Sequence, residues 1–191
     1  MLGVYAALAL LSGCASSATP PLSQPGANAG AFVPSRDGRP SWMAREAARS
    51  DLLYVSDVGT GDVNVYTYPK GKLSGQLTGF MRPSGLCVDR AGDVYVTDLF
   101  ASQLLEFQHG ATTPVRTLKD PNEDPGDCAV DPTTGNLAVS NVSTPYSTGG
   151  DVVIFAHAKG RPHAYHDPAI FYYQFCGYDG AGNLYVDGSA G

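Results

Sequence analysis

The sequence predicts an all-β protein, specifically a β-propeller, from a repeat, a periodicity and a turn chemistry. Four segments align: Leu52-Leu53-Tyr54-Val55-Ser56-Asp57, Asp93-Val94-Tyr95-Val96-Thr97-Asp98, Asn136-Leu137-Ala138-Val139-Ser140-Asn141 and Asn183-Leu184-Tyr185-Val186-Asp187-Gly188. Their starts lie 41, 43 and 47 residues apart. Side chains alternate with a period near two, which makes strands and excludes a solenoid of helix pairs. The last three segments each follow another apolar stretch and a loop ending in Gly92, Gly135 or Gly182. Glycine there can take a positive φ and close a hairpin. Four short strands per 41–47 residues, with turns between them, are the pattern of a propeller blade.

Residues 1–13, MLGVYAALALLSG, are expected to be a signal peptide. The uncharged run Leu2–Leu11 suits a signal h-region and is too short for a bilayer span, which needs about 20 residues. Leu11-Ser12-Gly13-Cys14 resembles a bacterial lipobox, which implies lipidation of Cys14 and a membrane anchor. No Lys or Arg precedes Arg36, so the leader departs from the usual basic start, through a misplaced start codon or a truncated sequence. A secretory signal with an accidental Cys, or a buried N-terminal segment, are the competing readings. Residues 14–50 are expected to be the lipidated Cys and a tether. Its first part carries prolines at 20, 21, 25, 34 and 40 and no hydrophobic period, so it buries too little to offset chain entropy. Ser41–Ser50 contains better helix formers, and a short helix capped by Ser41 is expected there, with Trp42 either pinning the tether or exposed.

Residues 51–191 are the propeller. The segments preceding the second strand are Gly85–Asp89, Asp127–Asp131 and Phe175–Asp179. A third strand follows at Val63–Tyr68, Gln103–Gln108 and Asp151–Phe155, and a fourth at Leu73–Leu77, Pro114–Leu118 and His163–Tyr165. Val94 and Val96 face one way, Tyr95 and Thr97 the other. Neither face is charged, as a sheet between neighbouring blades requires. In the first strand Leu86/Val88, Cys128/Val130 and Cys176/Tyr178 share a face. The opposite face carries the small residues Cys87, Ala129 and Gly177, so close sheet-to-sheet approach is expected there. The 141 residues from Asp51 make about three blades and the start of a fourth, and the chain is expected to be incomplete, since a closed propeller needs at least four.

Pro83-Ser84-Gly85-Leu86-Cys87-Val88-Asp89-Arg90-Ala91-Gly92-Asp93-Val94-Tyr95-Val96-Thr97-Asp98 resembles an NHL repeat, and the likeness extends over about residues 51–191. The third repeat departs from it, with Asn141 in place of Asp and the longer insert Ser143–Gly150. The resemblance implies a propeller but no single function, because such propellers include lactonases, lyases, ligase recognition domains and scaffolds. Gluconolactonase-like members hold a divalent metal with rim carboxylates and an Asn. Asp57, Asp98 and Asn141 end equivalent strands and should share a rim. They recur with the repeat, as turn-capping residues do, and are read as structural.

Twelve Lys+Arg against 18 Asp+Glu leave a net charge of −6, which argues against nucleic acid as a partner. With 43% hydrophobic and 16% charged residues, the chain is not an acidic disordered tail. Besides Cys14 there are Cys87, Cys128 and Cys176, an odd number lying mid-strand in apolar settings, and they are read as small buried core residues. Asp120, Asn122 and Asp124 alternate as calcium ligands can, but Pro125 occupies the position where an EF-hand needs Gly, so a solvated inter-blade loop is expected. The four His show neither metal spacing nor a Ser/His/Asp order, and His163–Asp167 is read as a loop. No cofactor motif is present.

The expectation is an extracytoplasmic, membrane-anchored propeller of the bacterial cell envelope. It would act as a binding or scaffold module for an unknown protein or small-molecule ligand. No cofactor, metal or catalytic residue is assigned. An envelope enzyme, a metal-dependent lactonase or a lyase like streptogramin lyase, is the alternative, and the sequence leans away from it.

Overall fold

The computed structural model describes residues 38–121, 123–142 and 149–190. The leader, Cys14 and residues 15–37 of the tether lie outside the described residues, as do Asn122 and residues 143–148.

Strands form where apolar residues alternate, and each ends at a turn the sequence supplies. The second blade shows the full pattern. β5 (Pro83–Val88), β6 (Val94–Asp98), β7 (Gln103–Phe107) and β8 (Arg116–Lys119) form an antiparallel sheet in sequence order. β9 (Pro125–Val130), β10 (Leu137–Asn141), β11 (Asp151–Phe155) and β12 (His163–Tyr165) repeat it in the third blade. β13 (Tyr172–Tyr178) and β14 (Leu184–Ser189) form the opening pair of a fourth.

The first hairpin of each blade is closed by one device. Gly92, Gly135 and Gly182 sit at φ +89, +73 and +86, a region that excludes most side chains. The Asp that directly follows the preceding strand caps the turn. Asp89 Oδ1 accepts from Ala91 and Asp93 N–H, Asp131 Oδ1 from Thr133, and Asp179 Oδ1 from Ala181 and Asn183. These are Asx turns, and they recur with the repeat.

The first blade is built differently. β2 (Leu52–Asp57), β3 (Asp62–Thr67) and β4 (Lys72–Leu77) match β6, β7 and β8 in order, with β1 (Trp42–Met43) added beyond β4. Of the short helix expected over Ser41–Ser50, one 3-10 turn forms at Ala47–Arg49, and the strand β1 precedes it, so the first sheet takes in residues before Asp51. Ser41 caps no helix. Its Oγ accepts the Thr78 N–H at 2.9 Å. Backbone pairing of Trp42 with Gln76 and Met43 with Gly75 fastens the segment, while the Trp42 ring stays exposed. A Cβ on Gly75 would run into Met43 Sδ, so glycine there admits the Met43 side chain.

Two apolar cores lie between blades, and the strand alternation sorts residues into them. Val94, Val96 and Phe107 face the first blade and pack on Val63, Val65, Leu77 and Phe80. Tyr95, Leu104 and Leu118 face the third blade and pack on Cys128, Leu137, Val139, Val153 and Phe155. The assignment of Val94/Val96 and Tyr95 to opposite faces thus holds.

The close approach expected at the small-residue face is present and is covalent. Cys87 and Cys128 form a disulfide with Cα atoms 5.6 Å apart. The reading of these two as unpaired core residues is corrected. They sit on opposite faces of equivalent strands, and stacking successive blades brings those faces together. Cys176 remains a free thiol, and burial pushes its pKa up to about 12. Its Sγ lies 3.9 Å from Ala138 O, as Cys128 Sγ lies 3.9 Å from Tyr95 O. It therefore occupies the Cys128 position of the next interface, where Ala129 stands in the place of Cys87.

Candidate functional site

The ends of β2, β6 and β10 place Asp57, Asp98 and Asn141 at equivalent positions of one rim. Two of the three do local structural work. Asp57 Oδ1 accepts from Gly59 N–H at 2.8 Å and Thr60 N–H at 3.3 Å. Asp98 reaches back to the preceding connection, accepting from Arg82 N–H at 2.7 Å and Met81 N–H at 3.2 Å.

Asn141 differs. It is fully buried, and its Nδ2 donates to Asp120 Oδ2 at 3.1 Å and to Asp151 Oδ1 at 2.8 Å. An Asp here would set a third carboxylate against two, so the departure from the repeat has an electrostatic cause. Asp151 opens β11 directly opposite Asn141. Asp120 lies just beyond β8, only 3% exposed. The expectation of a solvated loop at Asp120–Asp127 is corrected: its first carboxylate is buried and partnered. The connection does join two blades, as expected.

The cluster holds protons unusually well. Burial pushes Asp120 up to about 6 against the lowering effect of Asn141, with the Asp151 charge adding to the rise. Glu123 is pushed up to about 8 by burial, then by the charges of Asp151, Asp120 and Asp124. Burial also raises Asp151, while Asn141 and His166 oppose it. Asn141 Oδ1 and Glu123 Oε2 are buried without a hydrogen-bond partner. Among the described residues no group of three His, Cys, Asp or Glu side chains is arranged to hold a metal ion. The arrangement stores protons near neutral pH and presents a polar rim. Sequence reasoning missed Asp151 and Glu123 as members. The Asn-for-Asp exchange at 141 was the signal that could have found them.

The fourth strand expected at His163–Tyr165 forms as β12, so the loop read over His163–Asp167 is confined to its last residues. His166 Nδ1 lies 3.1 Å from Gly150 O, and Asp167 is half of a turn closed by Tyr173, whose hydroxyl accepts its N–H.

The comparisons with known proteins agree with this architecture. An NHL repeat is matched over residues 80–105, which is β5, β6 and the start of β7. A 71-residue stretch is 38% identical to peptidyl-glycine alpha-amidating monooxygenase A of Xenopus laevis, covering 32% of this chain and 8% of that protein. Among solved structures, Kuenenia stuttgartiensis hydrazine synthase superposes with a TM-score of 0.61 at 18% identity, over 76% of this chain and 42% of that one. The chain thus spans less than half the length of either. At that identity the structural likeness speaks for the fold. The fold is a β-propeller that carries an NHL repeat at residues 80–105, with three sheets and the first hairpin of a fourth among the described residues.

Proposed function

We propose that this chain is an extracytoplasmic, membrane-anchored propeller that serves as a binding or scaffold module. The observation that carries the reading is the Cys87–Cys128 bridge between two blades. Structural disulfides form and persist in oxidising compartments outside the cytoplasm. The apolar leader and Cys14 supply the route and the anchor, and the proline-rich tether supplies reach. The propeller supplies rigid strands and loops on which a binding surface can be carried. The short match to an amidating monooxygenase assigns no catalytic residue to this chain and does not favour the enzyme alternative.

The test is expression of the full chain in a bacterial host with labelled palmitate. A membrane-associated, labelled product that becomes unlabelled in Cys14→Ala is expected. A soluble, unlabelled product, unchanged by that substitution, overturns the anchor. Peptide mapping without reductant reads the compartment separately, since a cytoplasmic chain would carry Cys87 and Cys128 as free thiols.

A further inference from the structure

Blade 2 breaks its own repeat along one row. The register places Cys87, Tyr95, Glu106 and Arg116 side by side across β5–β8, all on the face turned to the third blade. The matching row of the first blade is Tyr54, Val65 and Gly75, and of the third Ala129, Ala138, Ile154 and His163. Where blades 1 and 3 put Val65 and Ile154, the second puts Glu106, only 6% exposed. Glu106 Oε2 pairs with Arg116 Nη1 at 3.0 Å. A buried ion pair is often no more stabilising than apolar residues of similar size, so packing does not account for the exchange.

The row opens on a cavity of about 260 Å³ at the seam between the blades, on the rim opposite Asn141. The disulfide lies at the inner end of the row. Asp89, Tyr95 and Glu106 all line the cavity, and the Glu106 and Asp89 charges raise the Tyr95 pKa in addition to the larger effect of burial. Arg116 Nη1 donates to Ala158 O at 2.8 Å, which brings the guanidinium beside Lys159. The far wall is held in a costly conformation. His157 and Ala158 sit at φ +50 and +51, a region that costs about 1–3 kcal/mol for a non-glycine residue. The β9–β10 turn pins them there, through Asn136 Oδ1 to His157 N–H and Thr134 O to the His157 ring. Strain maintained by outside contacts is a mark of functional sites.

We infer that this interblade groove binds a small zwitterion of the α-amino-acid type, its ammonium toward Glu106 and Asp89 and its carboxylate toward Arg116 and Lys159. Two acidic and two basic groups favour a ligand of no net charge. Asp89, beside the inner strand, and Lys159, toward the edge, flank the Glu106–Arg116 pair in the lining, which favours a ligand whose charges are also separated. The volume is below the roughly 300–1,000 Å³ of pockets for drug-sized ligands, so the ligand is small. The proposal rests on the reading of the propeller as a binding module and adds the place and the ligand chemistry.

The experiment is calorimetric titration and saturation-transfer NMR of the full chain with the free α-amino acids, beside methylamine, acetate and glucose. At least one amino acid is expected to bind, with methylamine and acetate weaker by about tenfold or more, the value of one charge-assisted contact. Glu106→Gln is expected to weaken binding by a similar factor. Exposed Lys159→Gln, which carries no folding risk, is expected to weaken it severalfold. No amino-acid binding at millimolar concentration overturns the proposal, as does binding that both variants leave unchanged. Glucose binding equal to the amino acids would show a neutral polar groove and also refute it. Palmitate labelling of Cys14 is indifferent to all these outcomes, so the parent reading stands or fails separately.

Discussion

Replacing both Cys87 and Cys128 with Ala removes a bridge that closes a 41-residue span of chain. The chain-entropy relation for a loop of that size gives about 13 cal/mol/K, or about 4 kcal/mol at 25 °C. That is a large part of the roughly 5–15 kcal/mol that holds a typical domain folded. The double change also avoids stranding a reactive thiol at the interface. Cys128 is buried against Leu137, Val139 and Phe155, and Ala keeps that site apolar. Urea unfolding of the full chain, followed by circular dichroism, should show the loss as a lower midpoint with little change in slope. Adding reductant should move the natural protein toward the variant and leave the variant unmoved. A difference under about 1 kcal/mol would refute the reasoning, because the entropy relation leaves no room for so small a value without strain. So would a reductant effect equal in both proteins.

The repeat makes a further covalent prediction: under air oxidation Ala129→Cys should form a second bridge with Cys176, seen by mass spectrometry as the loss of two hydrogen atoms, and a persistently free Cys176 would contradict the equivalence of the two interfaces. Gly92→Val should cost about 1–3 kcal/mol because φ +89 excludes a β-branched residue, while exposed Arg90→Ala on the same loop should stay within about 0.5 kcal/mol; thermal melts of the two variants decide this. Asn141→Ala withdraws the donor from two carboxylates and should cost about 2–4 kcal/mol at neutral pH, and an unchanged urea midpoint would remove Asn141 from the cluster. Stability should fall with rising pH: Glu123 and Asp120 are raised in the fold to about 8 and about 6, so their contribution is complete below about pH 4, the unfolded value, and is lost as pH climbs through those folded values. Glu123→Gln should flatten the upper part of that slope in a midpoint series, and a slope that survives it assigns the effect elsewhere.

The strands, the blade length and the hairpin glycines were legible in the sequence because each is written locally. Alternation within five or six residues decides which side chains share a face, and Gly92, Gly135 and Gly182 mark a turn that only a positive φ can close. The exchange of Asp for Asn at 141 was visible too, though its cause was not. Tertiary structure alone decided which faces meet. Cys87 and Cys128 occupy opposite faces of equivalent strands, and pairing them requires one blade to stack on the next. Asp120 reads as a loop carboxylate until Asn141 and Asp151, 21 residues away and beyond, close over it. Glu106 looks like an ordinary outward residue of a strand until its row is seen to face another blade. Local pattern sets the backbone of each blade, because φ and ψ preferences act over neighbouring residues. Burial at the seams depends on groups some forty residues apart, which no short-range pattern records.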